Sequence, residues 1–298
     1  MIAAIVLLVL AANAAPTVAP DATGVAYDQV VTVTRSRPLL QPTQFDAAWT
    51  AEIAAMKANP GARTGPDGLP IGQARHVAWL GADERIEDPI TGRIVIQRPM
   101  DHLTIDIDPV ARTYAVFKGD SEVYAVSSGP SPTAPPASAP SVTAVLHTTL
   151  DTFPPTPVDG VTYQGYAGRI TQTVDDSRCK YAQAFASFVA FYDPNRTEPG
   201  EPPPTYAPWL TMAPTRLTPM SGCNVMPASD PLAALPFYPH FLLYMVSKPL
   251  FSRSDLSLAQ LPTNTIANIM MRGRVRTLTA ADAALFEVPA GYAKVASL

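Results

Sequence analysis

The sequence predicts an α+β fold in which a mostly antiparallel β-sheet predominates. Short segments rich in β-branched and aromatic residues follow one another at hairpin spacing, with turn residues such as Asp-Pro and Asp-Gly between them. One segment, Phe45–Ala58, has instead the apolar spacing of a helix. Proline accounts for 33 of 298 residues, about twice the usual ~5%, and clusters in two tracts that we expect to be loops, near 128–140 and 194–208.

A strand and a helix begin the predicted fold. Val25–Thr34 is rich in β-branched residues and predicts the strand. Phe45–Ala58 predicts the helix because its large side chains recur every three or four residues and so share one face: Phe45, Trp49, Ile53 and Met56. We expect this face to be buried in the core and the helix to end at Asn59-Pro60-Gly61.

A meander of short strands follows the helix. We predict strands at Arg75–Leu80, Glu84–Glu87, Arg93–Gln97, Leu103–Ile107 and Arg112–Lys118. In the fourth of these, apolar and polar residues alternate, which is typical of a half-buried strand. Turn sequences at Asp88-Pro89 and Asp108-Pro109 separate neighbouring strands, so we expect them to pair antiparallel.

The middle of the chain continues the β pattern. Val142–Thr149 and Val161–Val174 predict strands, with a turn at Asp159-Gly160 between them. Tyr181–Tyr192 fits both a helical face and an alternating strand. We favour the strand because the flanking segments are strands and because Asp193-Pro194 is typical of a hairpin stop.

The densest apolar cluster outside the N-terminus lies within Leu232–Phe251 and is about as long as a short buried helix. Pro236 and Pro239 exclude a helix at its start, so we expect a helical turn or two from Phe241. A segment this apolar favours a cavity that it lines or covers. The candidate lining residues are Phe237, Phe241, Leu242, Leu243 and Met245.

A long strand and a short helical turn end the predicted fold. The strand, Ile266–Thr277, places Arg272, Arg274 and Arg276 on one face. This row fits either contact with an anion or an acidic partner, or a charged face that protects an edge strand. Thr279–Ala284 predicts the helical turn, with Thr279 as its N-cap.

The N-terminal segment has the composition of a secretory leader. Its apolar run is too short to span a membrane, and Ala12 and Ala14 occupy the −3 and −1 positions of an Ala-x-Ala cleavage site. We therefore expect Met1–Ala14 to be removed, and residues 15–298 to form a single exported domain in the periplasm or outside the cell.

The chain contains two cysteines, Cys179 and Cys223, with 43 residues between them. An exported protein folds in an oxidising compartment, so an even pair of cysteines favours a disulfide. The alternative is two unpaired buried thiols. Neither cysteine belongs to a Cys-x-x-Cys motif, which argues against a redox-active pair.

Composition and motifs exclude several functional classes. The net charge is −4 and only 15% of the residues are charged, so the chain lacks the basic surface of a nucleic-acid-binding protein. No later run reaches 18 apolar residues, so we expect no membrane span in the mature chain. The sequence carries no zinc-ligand spacing, P-loop, Rossmann glycine pattern or Gly-x-Ser-x-Gly motif, and we therefore predict no metal, no cofactor and no catalytic residue.

The C-terminal segment Thr277–Lys294, which contains the phrase LFEVPAGY, resembles the signature of a family of small exported bacterial proteins. The segments Arg112–Phe117 and Val158–Gly168 are similar to two further strands of that family. The resemblance implies a lipoprotein-carrier-like (LolA-like) fold. In that fold an open, strongly curved antiparallel half-barrel carries one or two helices on its concave face.

Three functions follow as hypotheses. The first is a non-catalytic exported protein that binds a lipid or another apolar ligand in a concave sheet. The second is an exported hydrolase whose site is built from scattered residues such as His102 and Asp106, although Asp106 and Asp108 also fit a solvated strand face running into an Asp-Pro turn. The third is an envelope protein that binds other proteins through its proline-rich tracts.

Overall fold

The computed structural model describes residues 23–34, 42–59, 72–118, 141–174, 184–197, 199, 224–227, 240–250 and 267–297. The leader Met1–Ala14, the proline tract at 128–140, Phe237 and both cysteines lie outside these residues. The leader cleavage and the Cys179–Cys223 disulfide therefore stay predictions.

The described residues form thirteen strands, one α-helix and three short 3-10 helices. The strands are β1 Gly24–Thr34, β2 Gln73–Leu80, β3 Asp83–Glu87, β4 Ile94–Arg98, β5 Leu103–Asp108, β6 Thr113–Lys118, β7 Ser141–Val158, β8 Val161–Val174, β9 Ala184–Thr197, β10 Asn224–Pro227, β11 His240–Leu250, β12 Ala267–Leu278 and β13 Ala293–Lys294. Helix α1 spans Phe45–Ala58, and the 3-10 helices span Pro42–Gln44, Pro99–Asp101 and Ala280–Phe286.

All these strands belong to one sheet. Their order is β10-β7-β8-β9-β11-β12-β1-β2-β3-β4-β5-β6-β13. Every neighbouring pair is antiparallel except the two outermost, β10 with β7 and β13 with β6, which are parallel. The end strands do not pair with each other within the described residues, so the sheet is open. The structure thus confirms a mostly antiparallel open sheet with short helices.

Local sequence patterns correctly predicted the strands β2 to β6 and helix α1, which come early in the chain. The meander β2 to β6 pairs antiparallel throughout, as its turn spacing indicates. Helix α1 has the predicted bounds, and its Phe45 and Trp49 side chains are buried. The C-terminal helical turn also forms, with a capping box in which Thr279 and Asp282 bond reciprocally.

The start of the predicted proline-rich loop at 194–208 is strand, since residues 194–197 belong to β9. β9 confirms the strand over the described part of Tyr181–Tyr192, but it continues through Asp193-Pro194 to Thr197, so the predicted hairpin stop is wrong. The register with β11 shifts between the pairs His240–Thr197 and Phe241–Asp193, and Pro194 lies in this irregular segment. Pro154 and Pro155 occupy a similar shift in β7. A proline fits a bulge because no ladder hydrogen bond from its nitrogen is needed there.

The predicted helical turns from Phe241 are also wrong. The segment is the strand β11, which lies between β9 and β12 near the middle of the sheet. All six residues 241–246 are buried, so both faces of this strand are covered. A strand buried on both faces loses the alternation that distinguishes it from a helix in the sequence.

Two helical elements cover one face of the sheet. Phe45 and Trp49 of α1 pack with Val30 of β1 and Met271 of β12, and we call this side of the sheet the α1 face. Farther along the same face, Phe286 of the last 3-10 helix packs on the meander strands. Within the described ranges, no helix combines the length and hydropathy needed to cross a membrane.

Candidate functional site

One row of side chains crosses the sheet on the α1 face. Directly paired residues of seven consecutive strands make up the row: Phe153, Gly165, Phe191, Tyr244, Met271, Val30 and Ala74. Six of them are buried, whereas Phe153 at the β7 end is 36% exposed. The row thus leads from a partly exposed phenylalanine into the core beside α1.

The outer part of this row is aromatic because Gly165 leaves room for the neighbouring rings. A Cβ atom at Gly165 would lie 2.6 Å from the ring of Phe191 and 3.1 Å from Cβ of Phe153. These two rings stack with centroids 5.9 Å apart, and the ring of Phe191 meets that of Tyr244 edge-on at 5.9 Å. The result is a continuous aromatic path from Phe153 to Tyr244.

Two buried polar atoms lie on the α1 side of the sheet, one on Tyr244 of β11 and one on Glu52 of α1. The Tyr244 side chain is 1% exposed, and its hydroxyl has no hydrogen-bond partner among the described residues. Glu52 of α1 is 8% exposed, and its Oε1 likewise has no partner in the described part of the chain. Burial raises the pKa of Tyr244, and burial also raises the pKa of Glu52, against a hydrogen bond from Thr32 that lowers it.

A four-residue ionic cluster attaches α1 to the sheet. Asp28 of β1 binds Nδ1 of His76 through Oδ1 at 2.5 Å and Nη1 of Arg274 through Oδ2 at 2.8 Å. Arg274 also donates from Nη2 to Asp46 of α1 at 2.8 Å. The ring of Trp49 lies 5.2 Å from that of His76, between centroids. Both ionic and ring contacts therefore link the helix to β1, β2 and β12.

The cluster shifts the titration of two of its members in opposite directions. The hydrogen bond to Asp28 raises the pKa of His76 above its ordinary value, although burial opposes this. Burial acts to raise the pKa of Asp28, but its hydrogen bonds and charge interactions with His76 and Arg274 outweigh burial and lower that pKa. The charged forms of both residues are thereby stabilised.

The prediction that Arg272, Arg274 and Arg276 share one face is wrong for Arg272. Between the pairs Asp28–Gly273 and Ala26–Arg276, two residues of β12 oppose one residue of β1, and Arg274 adopts a positive φ of 52°. This β-bulge breaks the alternation of the strand. Arg274 and Arg276 therefore form ion pairs with Asp46 and Asp282, while Arg272 is on the opposite face.

Arg272 is a buried core residue and not part of a surface for anions. It is 1% exposed, and its guanidinium carbon lies 4.5 Å and 4.8 Å from the ring centroids of Tyr27 and Phe241. Its Nη1 donates to the carbonyl oxygen of Leu242 at 3.0 Å. The planar guanidinium thus contacts two aromatic rings, which also meet each other edge-on with centroids 5.3 Å apart.

The described residues among the predicted apolar lining are buried in the packed core and do not share one face of the sheet. Phe241, Leu242, Leu243 and Met245 are at most 3% exposed, and Phe237 lies outside the described residues. Leu243 belongs to the cluster of the α1 face, whereas Phe241 packs on Tyr27 of the opposite face. Only Leu243 therefore lies in the same cluster as the aromatic path.

The residues considered for a hydrolase do not converge. Asp106 binds Nε and Nη2 of Arg93 at 2.9 and 2.5 Å, and Asp108 accepts hydrogen bonds from the backbone of Val110 and Ala111 in the turn that follows it. His102 is exposed at the end of a 3-10 helix. No group of three metal-ligating side chains occurs in the described part of the chain.

Sequence reasoning missed the Asp28–His76 pair and the polar atoms of Tyr244 and Glu52. No local spacing indicates them, because Asp28 and His76 lie on different strands, and because the burial of Tyr244 and Glu52 depends on segments far away in the chain. No protein-family model matches the sequence, and no curated protein matches it either. The family resemblance of the C-terminal segment therefore stays a prediction.

Proposed function

We propose that this protein is an exported, non-catalytic binding protein that holds a lipid or another apolar ligand on the α1 face of its sheet. The observation that carries the proposal is the aromatic path from the partly exposed Phe153 to Tyr244. Aromatic side chains with a few polar groups at one end are the usual lining of sites for apolar ligands. Phe153 would be the point of access.

The proposal includes a curved sheet, with α1 on its concave side. Register shifts occur in the pairings of β1 with β12, β9 with β11, and β7 with β8. Bulges bend strands and increase their twist, which supports a half-barrel with α1 on its concave side. The C-terminal phrase LFEVPAGY resembles that of lipoprotein-carrier-like proteins and is consistent with the same arrangement.

The Asp28–His76 pair does not favour a hydrolase. Both carboxylate oxygens of Asp28 are engaged, one by His76 and one by Arg274. The raised pKa of His76 favours the protonated imidazole, whereas a general base must be neutral. The pair fits an anchor for α1 better than a catalytic dyad.

Binding of N-phenyl-1-naphthylamine, a fluorescent apolar probe, tests the proposal. Phe153→Asp is expected to weaken binding at least tenfold, because it places a charge at the start of the apolar path. Leu150→Asp is the matched control: Leu150 is 38% exposed on the same strand, and it packs beside Gly168 and Phe188 on the other face. Circular dichroism checks that both variants retain the sheet.

Two results would reject the proposal that the protein binds an apolar ligand on the α1 face. One is a wild-type protein that leaves the fluorescence of the probe unchanged. The other is equal loss of binding in Phe153→Asp and Leu150→Asp, which would show that the α1 face has no special role. If Phe153→Asp alone weakens binding, extraction of lipids from protein purified out of its own cell envelope, followed by mass spectrometry, would identify the natural ligand.

A further inference from the structure

The edge of the sheet along β7 is longer than the strand that covers it. β10 pairs only with Ser141–Ala144, whereas β7 continues to Val158. Among the described residues, no other strand lies beside β7 on this side. The pairing of β7 with β8 is regular as far as Phe153, and the register shifts at Pro154. A straight, open edge segment therefore lies between the contact with β10 and Pro154.

This open segment lacks the features that usually keep edge strands apart. It contains no lysine, no proline and no bulge, and Asp151 is its only acidic residue. Proteins usually protect such an edge, because its backbone N–H and C=O groups are able to pair with another strand. From position 147 onward, all its described side chains are exposed: His147, Thr149, Leu150, Asp151, Thr152 and Phe153. The segment is therefore suited to the addition of one more strand.

The geometry of a sheet limits how β7 of a second copy adds to this edge. Two antiparallel copies are related by a two-fold axis perpendicular to the sheet, so each residue keeps its own face. Directly paired residues share a face, and the faces alternate along a strand. One residue must therefore lie opposite its own copy. Thr149 is the middle residue between Ala144 and Pro154, so pairing about Thr149 uses the open segment most fully.

Pairing about Thr149 also gives Asp151 a suitable partner. Each Asp151 then lies directly opposite His147 of the second copy, whose imidazole N–H donates to the carboxylate. Pairing about Leu150 would instead place His147 opposite Phe153. Within its own chain, Asp151 pairs with Ala167 and His147 pairs with Thr171, so neither has an oppositely charged residue directly across from it on β8. Charge complementarity thus selects the same register as the length of the open segment.

We propose that two copies of this chain associate through their β7 edges, antiparallel about Thr149, so that the two sheets form one continuous sheet. Two His147–Asp151 pairs flank the central pair of threonines. All three pairs lie on the α1 face, because Phe153 lies on that face and every second residue shares it. The inference goes beyond the proposed function, and its test needs no ligand.

Cysteine cross-linking tests the register. Thr149→Cys places two thiols opposite each other, with Cα atoms about 5 Å apart, which is within reach of a disulfide. Thr152→Cys is the matched control: residue 152 lies opposite Leu146, so its own copy is roughly 20 Å away. Under mild oxidation, Thr149→Cys should form a covalent dimer at least tenfold faster than Thr152→Cys. The wild type controls for the two native cysteines, and equal rates in the two variants would overturn the register.

Exchange of the paired charges tests the contact itself. Sedimentation velocity over a range of concentrations should show dimers of the wild type. His147→Asp places two carboxylates opposite each other in both pairs, so it should weaken association at least tenfold. Adding Asp151→His to this variant exchanges the two residues and should restore the dimer. Thr162→Asp is the control, since it adds the same charge at an exposed position of β8 outside the interface.

Three results of the sedimentation experiment would overturn the inference. The first is a wild-type protein that stays monomeric at every concentration, which would leave the β7 edge to a strand of a different protein. The second is a His147→Asp dimer as stable as that of the wild type. The third is failure of the exchanged variant to associate while circular dichroism shows that it retains the sheet.

Discussion

The imidazole Nδ1 of His76 lies 2.5 Å from Oδ1 of Asp28, although 48 residues separate them in the chain. They meet because β1 and β2 pair with Asp28 directly opposite His76. Arg274 binds the other oxygen of Asp28 and continues to Asp46 on α1. The Asp28 carboxylate thus links β1 to β2 and β12, and through Arg274 it also links the sheet to helix α1, which covers the proposed binding face.

Asp28→Asn is expected to lower the free energy of unfolding by about 2–3 kcal/mol, because two charge-assisted hydrogen bonds lose their anionic acceptor. Urea denaturation measures the change. Asp106→Asn is the control: it breaks the pair with Arg93, whose side chain is 47% exposed, and should lower stability by less than about 1 kcal/mol. Equal losses in the two variants would contradict the anchoring role of Asp28.

The stabilisation from His76 depends on pH in a defined direction. Its pKa is raised in the folded protein, mainly by Asp28 and further by Glu87, while burial and Arg274 oppose the rise. The contribution is therefore complete below the ordinary value of 6.5 and is lost as the pH rises through the folded-state pKa. We expect His76→Gln to be destabilised relative to the wild type at pH 5.5 and to approach it at pH 9. A constant difference across this range would exclude the linkage.

Asp28 gives the opposite dependence at acid pH. Its pKa is lowered by folding, so its contribution is present above the ordinary value of 3.8 and disappears as the pH falls through the folded-state pKa. Acid titration of stability should therefore be less steep in Asp28→Asn than in the wild type. Thermal denaturation between pH 2 and 5 measures this, and superimposable curves would contradict it.

Arg272→Lys should destabilise the protein by about 1–3 kcal/mol, because an ammonium group does not reproduce the contacts of the planar guanidinium with the rings of Tyr27 and Phe241. Arg276→Lys is the matched control on the same strand, since the Arg276 side chain is 54% exposed and forms an ion pair with Asp282. Chemical denaturation should separate the two variants. If Arg276→Lys costs as much stability as Arg272→Lys, the buried contact with the two rings is not the cause.

Titration of the unfolded, unreduced protein with a thiol reagent is expected to find no free thiol, because we predict a disulfide between Cys179 and Cys223. Cys179→Ala should then lower stability by roughly 2–4 kcal/mol. Two free thiols per chain would refute the disulfide.

N-terminal sequencing of the mature protein tests the predicted leader cleavage and export. The mature chain should begin at Ala15.

Several features follow from short-range patterns alone. Helix α1 and the strands β2 to β6 have close to the predicted bounds, because an apolar stripe of period 3.6 and an alternation of period 2 are local properties. The cap at Thr279 forms for the same reason, since both partners lie within one helical turn. The leader and the cysteine pair are also local predictions, and they lie outside the described residues.

The sequence by itself determined the mostly antiparallel α+β fold, whereas the pairing of distant strands decided the candidate site. β11 looked like a helix because a strand covered on both faces shows no alternation, and the bulge at Arg274 separated Arg272 from the row of arginines by breaking that alternation in β12. Register across the sheet assembled the path from Phe153 to Tyr244. Such register depends on hydrogen bonds between segments far apart in the chain, and no local spacing encodes it.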